Sequence, residues 1–428
     1  MEKRLILTCI LLCFISNLFA KPLVIQGYIH SKSKDSLYLY TYKNTADYLI
    51  GMSPVYAVKP DSNGFFRFVY PLKKGNEFTL KHGDAYIFFN LFFQPGDSLR
   101  IKLDDDAVTY DGNAANNVVY NDSFPRIFYM GAGGKEYAGS FKMSMDSFNT
   151  YIDNRKEARY HFLQKFADAK PLSDAFINQA NKEIEYNWAV DKLQYLWKNT
   201  YFHSRKGVVE APTGYFDFIR ALDIAHKPEL DVLQYYYCLK DYPTEIWEQK
   251  LHKNPYKDRY KFENQIRSRL YIIDSMYRGK IKMVAYAQII EDVLKWPGTK
   301  DNDAKIQFTD SLLDILKKDR YANQLGLYEP MLEEKNKSFS LLNKQAPDFK
   351  LKGLNDSLVT LSDLKGKVVL LDFWSTHCAP CIKEIPNSNI LQEKLKGKNF
   401  VEVAVCFDSD KKDWKEMIAK HNWEGIHL

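Results

Sequence analysis

The sequence predicts a multidomain α+β protein: a β-sandwich-like domain, then a central all-α region, then a C-terminal α/β domain. Many short apolar runs separated by turn residues indicate the first domain. Helical periodicity indicates the central region, and a strand–helix–strand pattern near the end indicates the α/β domain. We place the boundaries at 21–110 for the β domain, 111–143 for a connection, 144–332 for the helical region, 333–340 for a linker and 341–428 for the last domain.

Composition places the chain among globular proteins and excludes several function classes. Single hydrophobic cores rarely grow beyond about 250–300 residues. With 428 residues, this chain is long enough for two or three domains. Hydrophobic residues make up 45% and charged residues 27% of the chain, which is typical of folded proteins. The formal net charge is only +6 and no lysine-rich block occurs, so we expect no nucleic-acid partner.

The first residues, 1–20, have the pattern of a signal peptide. Glu2–Arg4 supplies the basic start, Leu5–Ile15 is apolar, and Ala20 offers a small residue for cleavage. We expect export to the periplasm or cell envelope with cleavage after Ala20, and an uncleaved anchor is the alternative. Cys9 and Cys13 lack the small-residue pattern of a lipoprotein signal, so we expect removal of this segment rather than lipidation.

The β domain is predicted from apolar runs that end in turn residues. Turn signals occur at Asp61–Gly64 and Pro95–Asp97. No catalytic constellation is visible here, so we interpret the domain as a partner-binding or spacer module. The predicted strands are Leu23–Ile29, Ser36–Tyr42, Pro54–Val58, Phe65–Pro71, Glu77–Lys81, Tyr86–Phe93 and Ser98–Leu103.

The helical region carries no motif that indicates a reaction. Ser173 is a predicted helix cap, and Cys238 follows three tyrosines, where we expect a buried apolar residue. The histidines His203, His226 and His252 form no cluster with metal-ligand spacing. Further helices are predicted at Ala211–Ala225, Glu229–Leu239, Asp258–Tyr277, Met283–Leu294 and Ala304–Lys318.

Two cysteines in the last domain form a Cys-x-x-Cys pair, Cys378 and Cys381. The apolar run Val368–Leu371 predicts a fully buried strand, and Pro380 is tolerated in a helix only in its first turn. Cys378 is therefore expected at a helix N-terminus, where free N–H groups and the helix dipole favour a thiolate. The pair predicts a nucleophilic sulfur with a second sulfur that resolves a mixed disulfide.

This segment resembles the thioredoxin superfamily, and within it the secreted TlpA/ResA-like thiol–disulfide oxidoreductases. The resemblance rests on residues 372–374, on the Cys-Ala-Pro-Cys pair, and on Glu384 and Pro386 behind it. Ala346–Phe349 and Leu361–Lys367 match the usual lead-in of that branch. The resemblance implies a thioredoxin-like α/β fold and disulfide oxidoreductase activity for the C-terminal part of the chain alone.

The start of the chain also resembles a known arrangement. Ile25–Ile29, Gly64–Phe68 and Gln94–Ser98 resemble an uncharacterised β domain that often precedes TlpA-like thioredoxin domains. This resemblance implies a fold and a place in the chain, but no function.

We predict roles for five residues around the pair, and the role of Asp372 follows from the resemblance to the thioredoxin family. Cys378 attacks, and Cys381 resolves the mixed disulfide. Asp372 stands where the family keeps a buried acid beneath the pair, so it is the expected proton acceptor, or else a polar residue satisfied by the backbone. Glu384 is expected to tune the pKa of the thiol or to assist proton transfer, and the alternative is an exposed helical glutamate. His377 replaces the usual Trp; protonated beside Cys378 it would lower the pKa of that thiol, and turned to solvent it would do little.

Three other chemistries fit the pair less well. A metal site needs more ligands than two sulfurs, although His377 or Cys406 could add a third. Haem attachment needs His directly after Cys381, where Ile382 stands. A peroxidase related to the peroxiredoxins needs Thr at the position of Ser375. We therefore expect no metal and no cofactor, and we expect Cys406 to be a buried bystander rather than a third redox cysteine.

The thioredoxin-like domain is expected to be incomplete. In the family a cis-proline loop faces the cysteine pair, whereas the last proline here is Pro386 in the predicted active-site helix. The segment 341–428 is also shorter than the family's domain. We therefore expect a C-terminally truncated domain, with an unpaired sheet edge and poor activity.

The leading functional hypothesis is an exported thiol–disulfide oxidoreductase that reduces disulfides in envelope or periplasmic proteins. Its partners would be protein thiols and disulfides, and a membrane-bound electron donor would restore its dithiol. The reductive direction follows from the resemblance alone, because the reduction potential decides it. The alternative hypothesis is an envelope binding protein whose β and helical domains do the work and whose thioredoxin-like tail is vestigial.

Overall fold

A computed structural model of the chain describes residues 21–29, 35–83, 85–104, 107–128, 131–203, 209–253, 262–295, 302–340, 344–407 and 409–428. The predicted signal peptide lies outside the described residues. The chain divides into two compact units, Met1–Ser338 and Phe339–Leu428. No helix in the described ranges is both long enough and apolar enough to cross a membrane.

The strands of the first unit form two four-stranded sheets. They are β1 (Pro22–Ile29), β2 (Leu37–Thr41), β3 (Ser53–Val58), β4 (Phe65–Pro71), β5 (Asn76–His82), β6 (Ala85–Phe93), β7 (Ser98–Asp104) and β8 (Ala107–Asp111). One sheet has the order β4-β1-β7-β8 and the other β3-β2-β5-β6. The seven predicted strands match β1–β7 closely, whereas β8 was not predicted.

Side chains from both sheets meet in one apolar cluster. Leu23 and Ile25 alternate with more exposed residues along β1, as expected for a strand with one buried face. Phe68 from the first sheet and Phe78 from the second lie in the same cluster. Gly27 is required where β1 meets β7, because a Cβ at this position would lie 1.9 Å from the carbonyl oxygen of Ile101.

Helices form the rest of the first unit. They are α1 (Asp47–Ile50), α2 (Ala115–Phe128), α3 (Gly131–Ser140), α4 (Met145–Ala169), α5 (Asp174–Phe202), α6 (Asp217–Ala221), α7 (Leu233–Lys253), α8 (Phe262–Met276), α9 (Gly279–Lys295), α10 (Asn302–Lys318), α11 (Arg320–Leu325) and α12 (Tyr328–Ser338). The predicted cap at Ser173 is present, since its hydroxyl accepts the N–H of Phe176 at 3.2 Å.

The structure corrects the expected connection and linker. Residues 111–143 hold α2 and α3, and Val118 of α2 is fully buried in the cluster that the sheets share. Packing therefore overrides the poor helix propensity of this Asn- and Gly-rich stretch. In the expected linker, 333–340, the chain is helical to Ser338 as the end of α12. The helix predicted at Ala211–Ala225 is reduced to the short α6.

The helix α5 covers the face of β5 that points away from the shared cluster. Phe78 and Leu80 of β5 point into the shared cluster, so Glu77 and Thr79 point to the other side. Both Glu77 and Thr79 are nevertheless only 3% exposed. Gln179 of α5 contacts Glu77 across this face.

The second unit is a small α/β arrangement. An antiparallel hairpin of β9 (Lys350–Lys352) and β10 (Leu358–Thr360) leads into a turn at Leu361–Leu364. The strands β11 (Val368–Trp374), β12 (Phe400–Cys406) and β13 (Ile426–His427) form a parallel sheet in that order. The helices α13 (Ala379–Lys394) and α14 (Lys411–Lys420) connect them. The predicted succession of hairpin, strand, helix, strand and helix is confirmed.

The prediction that Val368–Leu371 is fully buried is wrong. Val368 is 69% exposed and Leu370 is 40% exposed. Within the described residues β11 pairs with β12 alone, so its other edge has no strand beside it. The buried end of β11 is Trp374, which is fully buried and packs with Trp423 at a ring-centroid distance of 4.9 Å.

Candidate active site

The cysteine pair lies where β11 passes into α13. Cys378 occupies the N-cap of α13, and its Sγ accepts the backbone N–H of Cys381 at 3.3 Å. The N–H of Cys378 donates to the carbonyl oxygen of Ser375 at 3.1 Å, which closes the turn before the helix. Pro380 lies in the first helical turn, where a missing N–H costs no hydrogen bond. The local sequence thus places Cys378 at the free N–H groups of a helix start.

A disulfide joins Cys378 and Cys381, whose Cα atoms are 5.3 Å apart. Both residues are half-buried. Cys381 packs against the apolar cluster that includes Trp374 and Ile385. The pair is therefore held on its inner side by the core, while solvent reaches it from the other side. This is the arrangement that a disulfide needs in order to be attacked and resolved by thiols.

The loop before Cys378 is tied to the end of the neighbouring strand. The N–H and the hydroxyl of Thr376 each lie 3.0 Å from Oγ of Ser409, which follows β12. The thiol of Cys406, at the end of β12, lies close to the same two residues. Burial raises the pKa of this thiol, while the Ser409 hydroxyl and the Thr376 N–H act in the opposite direction. No motif in the sequence marks Thr376 or Ser409, because their contact is formed by the fold.

The other predicted site residues lie around the pair, but in different environments. Asp372 is on β11 opposite Ala404 of β12 and is half-buried, so it is less enclosed than the resemblance implies. Among the described residues no hydrogen bond joins Asp372 to either cysteine. His377 is exposed. Glu384 is also exposed, and its carboxylate accepts the Nδ2–H of Asn387 at 3.1 Å.

Other candidate residues are not gathered into a site. Cys238 is fully buried, as predicted, and burial raises the pKa of its thiol. His203 bonds to the carbonyl oxygen of Asn199, and His226 pairs with Asp223. The described residues contain no group of three or more His, Cys, Asp or Glu side chains that could hold a metal ion.

Comparison with known proteins finds similarity in the unit that contains the cysteine pair. Residues 341–427 match the Redoxin family model. The thioredoxin-like protein YneN of Bacillus subtilis is 47% identical over 76 residues, which cover 18% of this chain and 44% of YneN. The thiol-disulfide oxidoreductase ResA of Bacillus anthracis is 41% identical over 87 residues, which cover 20% of this chain and 48% of ResA.

One solved structure with similarity is the thioredoxin domain of a thiol-disulfide oxidoreductase from Bacteroides vulgatus. It is 34% identical, over 19% of this chain and 59% of that chain, with a TM-score of 0.19. This chain spans about half the length of the curated relatives it matches. The C-terminal region of the chain therefore carries a Redoxin domain and resembles the ResA- and YneN-like thiol–disulfide oxidoreductases.

Proposed function

We propose that the C-terminal unit exchanges thiols and disulfides with other proteins, with Cys378 as the nucleophile and Cys381 as the resolving residue. One observation carries the proposal: the two sulfurs form a disulfide at the first turn of α13, and Cys378 occupies the N-cap. A thiolate on Cys378 would be stabilised by the N–H of Cys381 and by the positive end of the helix dipole.

The reaction consists of two balanced exchange steps. In the dithiol form, the Cys378 thiolate attacks one sulfur of a substrate disulfide, forms a mixed disulfide and releases the other substrate sulfur as a thiolate. Cys381 then loses its proton and attacks Sγ of Cys378, which releases the second substrate sulfur. The substrate gains two electrons, and the chain ends with the Cys378–Cys381 disulfide.

Deprotonation of Cys381 requires a base within reach. Asp372 is proposed to accept this proton, acting across a water molecule because no direct hydrogen bond joins it to the pair in the described residues. Glu384 is proposed to assist from the surface, where Asn387 fixes its carboxylate. His377 is proposed to affect the Cys378 thiolate only weakly, because its side chain is exposed and its charge is screened.

The direction of exchange is proposed to be reductive, towards disulfides of envelope or periplasmic proteins. Because each turnover leaves the disulfide form, an external dithiol must restore the pair, and a membrane-bound donor is proposed for this role. The basic and apolar pattern of residues 1–20 supports export. Equilibration with glutathione tests the direction: a potential near about −120 mV, like that of a strong protein oxidant, would contradict a reductive role.

Trapping of mixed disulfides tests the reaction. Cys381→Ser leaves the nucleophile but removes the resolving thiol, so it should accumulate protein adducts that dithiothreitol releases. Cys378→Ser is the matched control, because it removes one sulfur from the same pair and should capture nothing. Equal capture by the two variants would show that Cys378 is not the nucleophile. Absence of capture by both would favour the alternative of a binding protein with a vestigial thioredoxin-like tail.

A further inference from the structure

A cavity of about 300 Å³ lies within the first unit, apart from the cysteine pair. Residues of β5, β6, α2, α4, α5 and α7 line it, so sheet and helices build its walls together. Its rim is fixed at one point, where Nδ2 of Asn121 donates to the carbonyl oxygen of Phe89 at 2.9 Å. The volume lies at the lower end of the range of small-molecule sites, which begins at about 300 Å³.

Two carboxylates from different elements meet at this cavity. Glu77 of β5 and Glu183 of α5 both line it. The side-chain amide of Gln179 bridges them, because its Nε2 lies 3.3 Å from Oε1 of Glu77 and 3.4 Å from Oε1 of Glu183. The same nitrogen lies 3.2 Å from the carbonyl oxygen of Asp231. The two N–H groups of the Gln179 amide are therefore shared among three acceptor oxygens. The two carboxylates thus receive fewer hydrogen bonds from Gln179 than they could accept.

The surroundings disfavour two negative charges at this place. Glu77 is 3% exposed, and Glu183 is half-buried. Burial raises the pKa of Glu183 to about 7 and raises the pKa of Glu77 well above its ordinary range, with repulsion from Glu183 as the next cause for Glu77. Near neutral pH, the pair therefore retains a proton.

One cation already faces the pair. Arg159 of α4 is 2% exposed, lines the cavity and packs over the ring of Phe124 at 4.8 Å. With both glutamates ionised, the three side chains that line the cavity carry one net negative charge, and Asp231, which does not line it, adds a further negative charge nearby. A ligand with a single positive charge would balance the charge of the lining side chains, whereas an anion would be repelled.

The remaining titratable groups that face the pair do not change the net charge at the cavity. Tyr42, Tyr48 of α1 and Tyr120 of α2 interact electrostatically with Glu77 or Glu183. Burial raises the pKa of each phenol well above its ordinary range, so all three are neutral at physiological pH. The Oε1 atom of Gln234, which lines the cavity from α7, is buried and accepts no hydrogen bond within the described residues.

We propose that this cavity binds a small primary ammonium compound, whose single positive charge takes the place of the proton on the Glu77–Glu183 pair. As the ammonium group enters, one proton leaves to solvent, and the group donates hydrogen bonds to the carboxylates. A metal ion is a poorer fit, because the described residues contain no cluster of three metal-ligating side chains. This gives the first unit a ligand-binding function that does not depend on the cysteine pair.

Saturation-transfer NMR with n-pentylammonium tests the proposal, and pentan-1-ol serves as the neutral ligand of the same length. We expect binding of the ammonium compound and not of the alcohol. Between pH 8 and pH 6 the dissociation constant should rise about tenfold, because a proton then competes for the pair. Equal binding of both compounds, an affinity independent of pH, or no binding of either would overturn the proposal.

Two variants of α5 distinguish the effect of the Glu77–Glu183 pair from the effect of another charge on the same helix. Glu183→Gln should weaken n-pentylammonium binding at least about tenfold, because it removes one of the two carboxylates that the ammonium group contacts. Glu185→Gln removes the same charge from α5, but Glu185 pairs with Lys156 at 2.8 Å and does not line the cavity, so binding should be unchanged. Equal loss in both variants would overturn the role of the pair. The comparison of the two compounds on the natural chain stands even if a variant fails to fold.

Discussion

Trp374 and Cys406 are partners at the ends of the parallel strands β11 and β12. Trp374 is fully buried, and the chain turns directly after it into the loop that leads to Cys378. Cys406 therefore lies beside this loop, with the backbone of Thr376 and the hydroxyl of Ser409 close to its thiol. In the sequence, the helix α13 and the strand β12 lie between Cys378 and Cys406. The parallel register of β11 and β12 brings Cys406 to the end of the sheet where the pair lies.

The three cysteine environments predict an order of thiol reactivity. After reduction, Cys378 should react first with a disulfide reagent because it is half-exposed at a helix N-terminus. Cys406 should react more slowly, because burial raises its pKa. Cys238 is fully buried and should react only after unfolding. Mass spectrometry after timed alkylation measures the order; labelling of Cys406 as fast as Cys378 would contradict it.

The exposed side chain of His377 predicts a small effect on the redox equilibrium. His377→Gln should change the reduction potential of the pair by less than about 30 mV, which is a tenfold change in the equilibrium constant. The reason is that a solvent-exposed imidazolium interacts weakly and is screened by salt. Equilibration of the natural chain and of His377→Gln with glutathione at pH 6 and pH 8 measures the two reduction potentials. A larger shift present only at pH 6 would show that the protonated ring acts on Cys378.

The sequence predicts the elements well where local pattern decides them. The strand before Cys378 and the helix behind it follow from an apolar run and from Pro380, and the structure places both there. The sequence could not predict the burial of Glu77, because alternation of Glu77, Phe78, Thr79 and Leu80 is typical of a strand with one face in solvent. The helix α5, distant in sequence, covers that face and creates the carboxylate pair.

The Glu77–Glu183 pair predicts that the first unit loses stability as pH rises. The folded-state pKa of Glu183 is raised from 4.5 to about 7, so proton binding favours the folded chain. This stabilisation is fully present below about pH 4.5 and is lost as pH rises through 7, with a slope of at most about 1.4 kcal/mol per pH unit for one proton. Urea unfolding followed by circular dichroism measures the slope between pH 5 and pH 8.

The same variants that test ligand binding test the origin of this slope. Glu183→Gln should reduce the decline between pH 5 and pH 8, because its amide cannot titrate and only Glu77 of the pair still can. Glu185→Gln should keep the decline, because Glu185 is ion-paired with Lys156 and is not among the residues that line the cavity. A slope that is unchanged in Glu183→Gln would place the titrating group elsewhere in the unit.

A hydrogen-bonded chain in the second unit predicts a large effect from one hydroxyl. Oγ of Ser388 lies 2.6 Å from Oε1 of Glu402, which is 1% exposed, and accepts the indole N–H of Trp423 at 2.9 Å. Ser388→Ala removes a donor from a buried carboxylate and an acceptor from a buried indole, and should cost about 1.5–3 kcal/mol of unfolding free energy. Asn387→Ala, at an exposed position on the same helix, should cost less than about 0.5 kcal/mol. Urea unfolding followed by tryptophan fluorescence measures both, and equal small effects would show that Glu402 is satisfied by Gln392 alone, whose Nε2 lies 3.0 Å away.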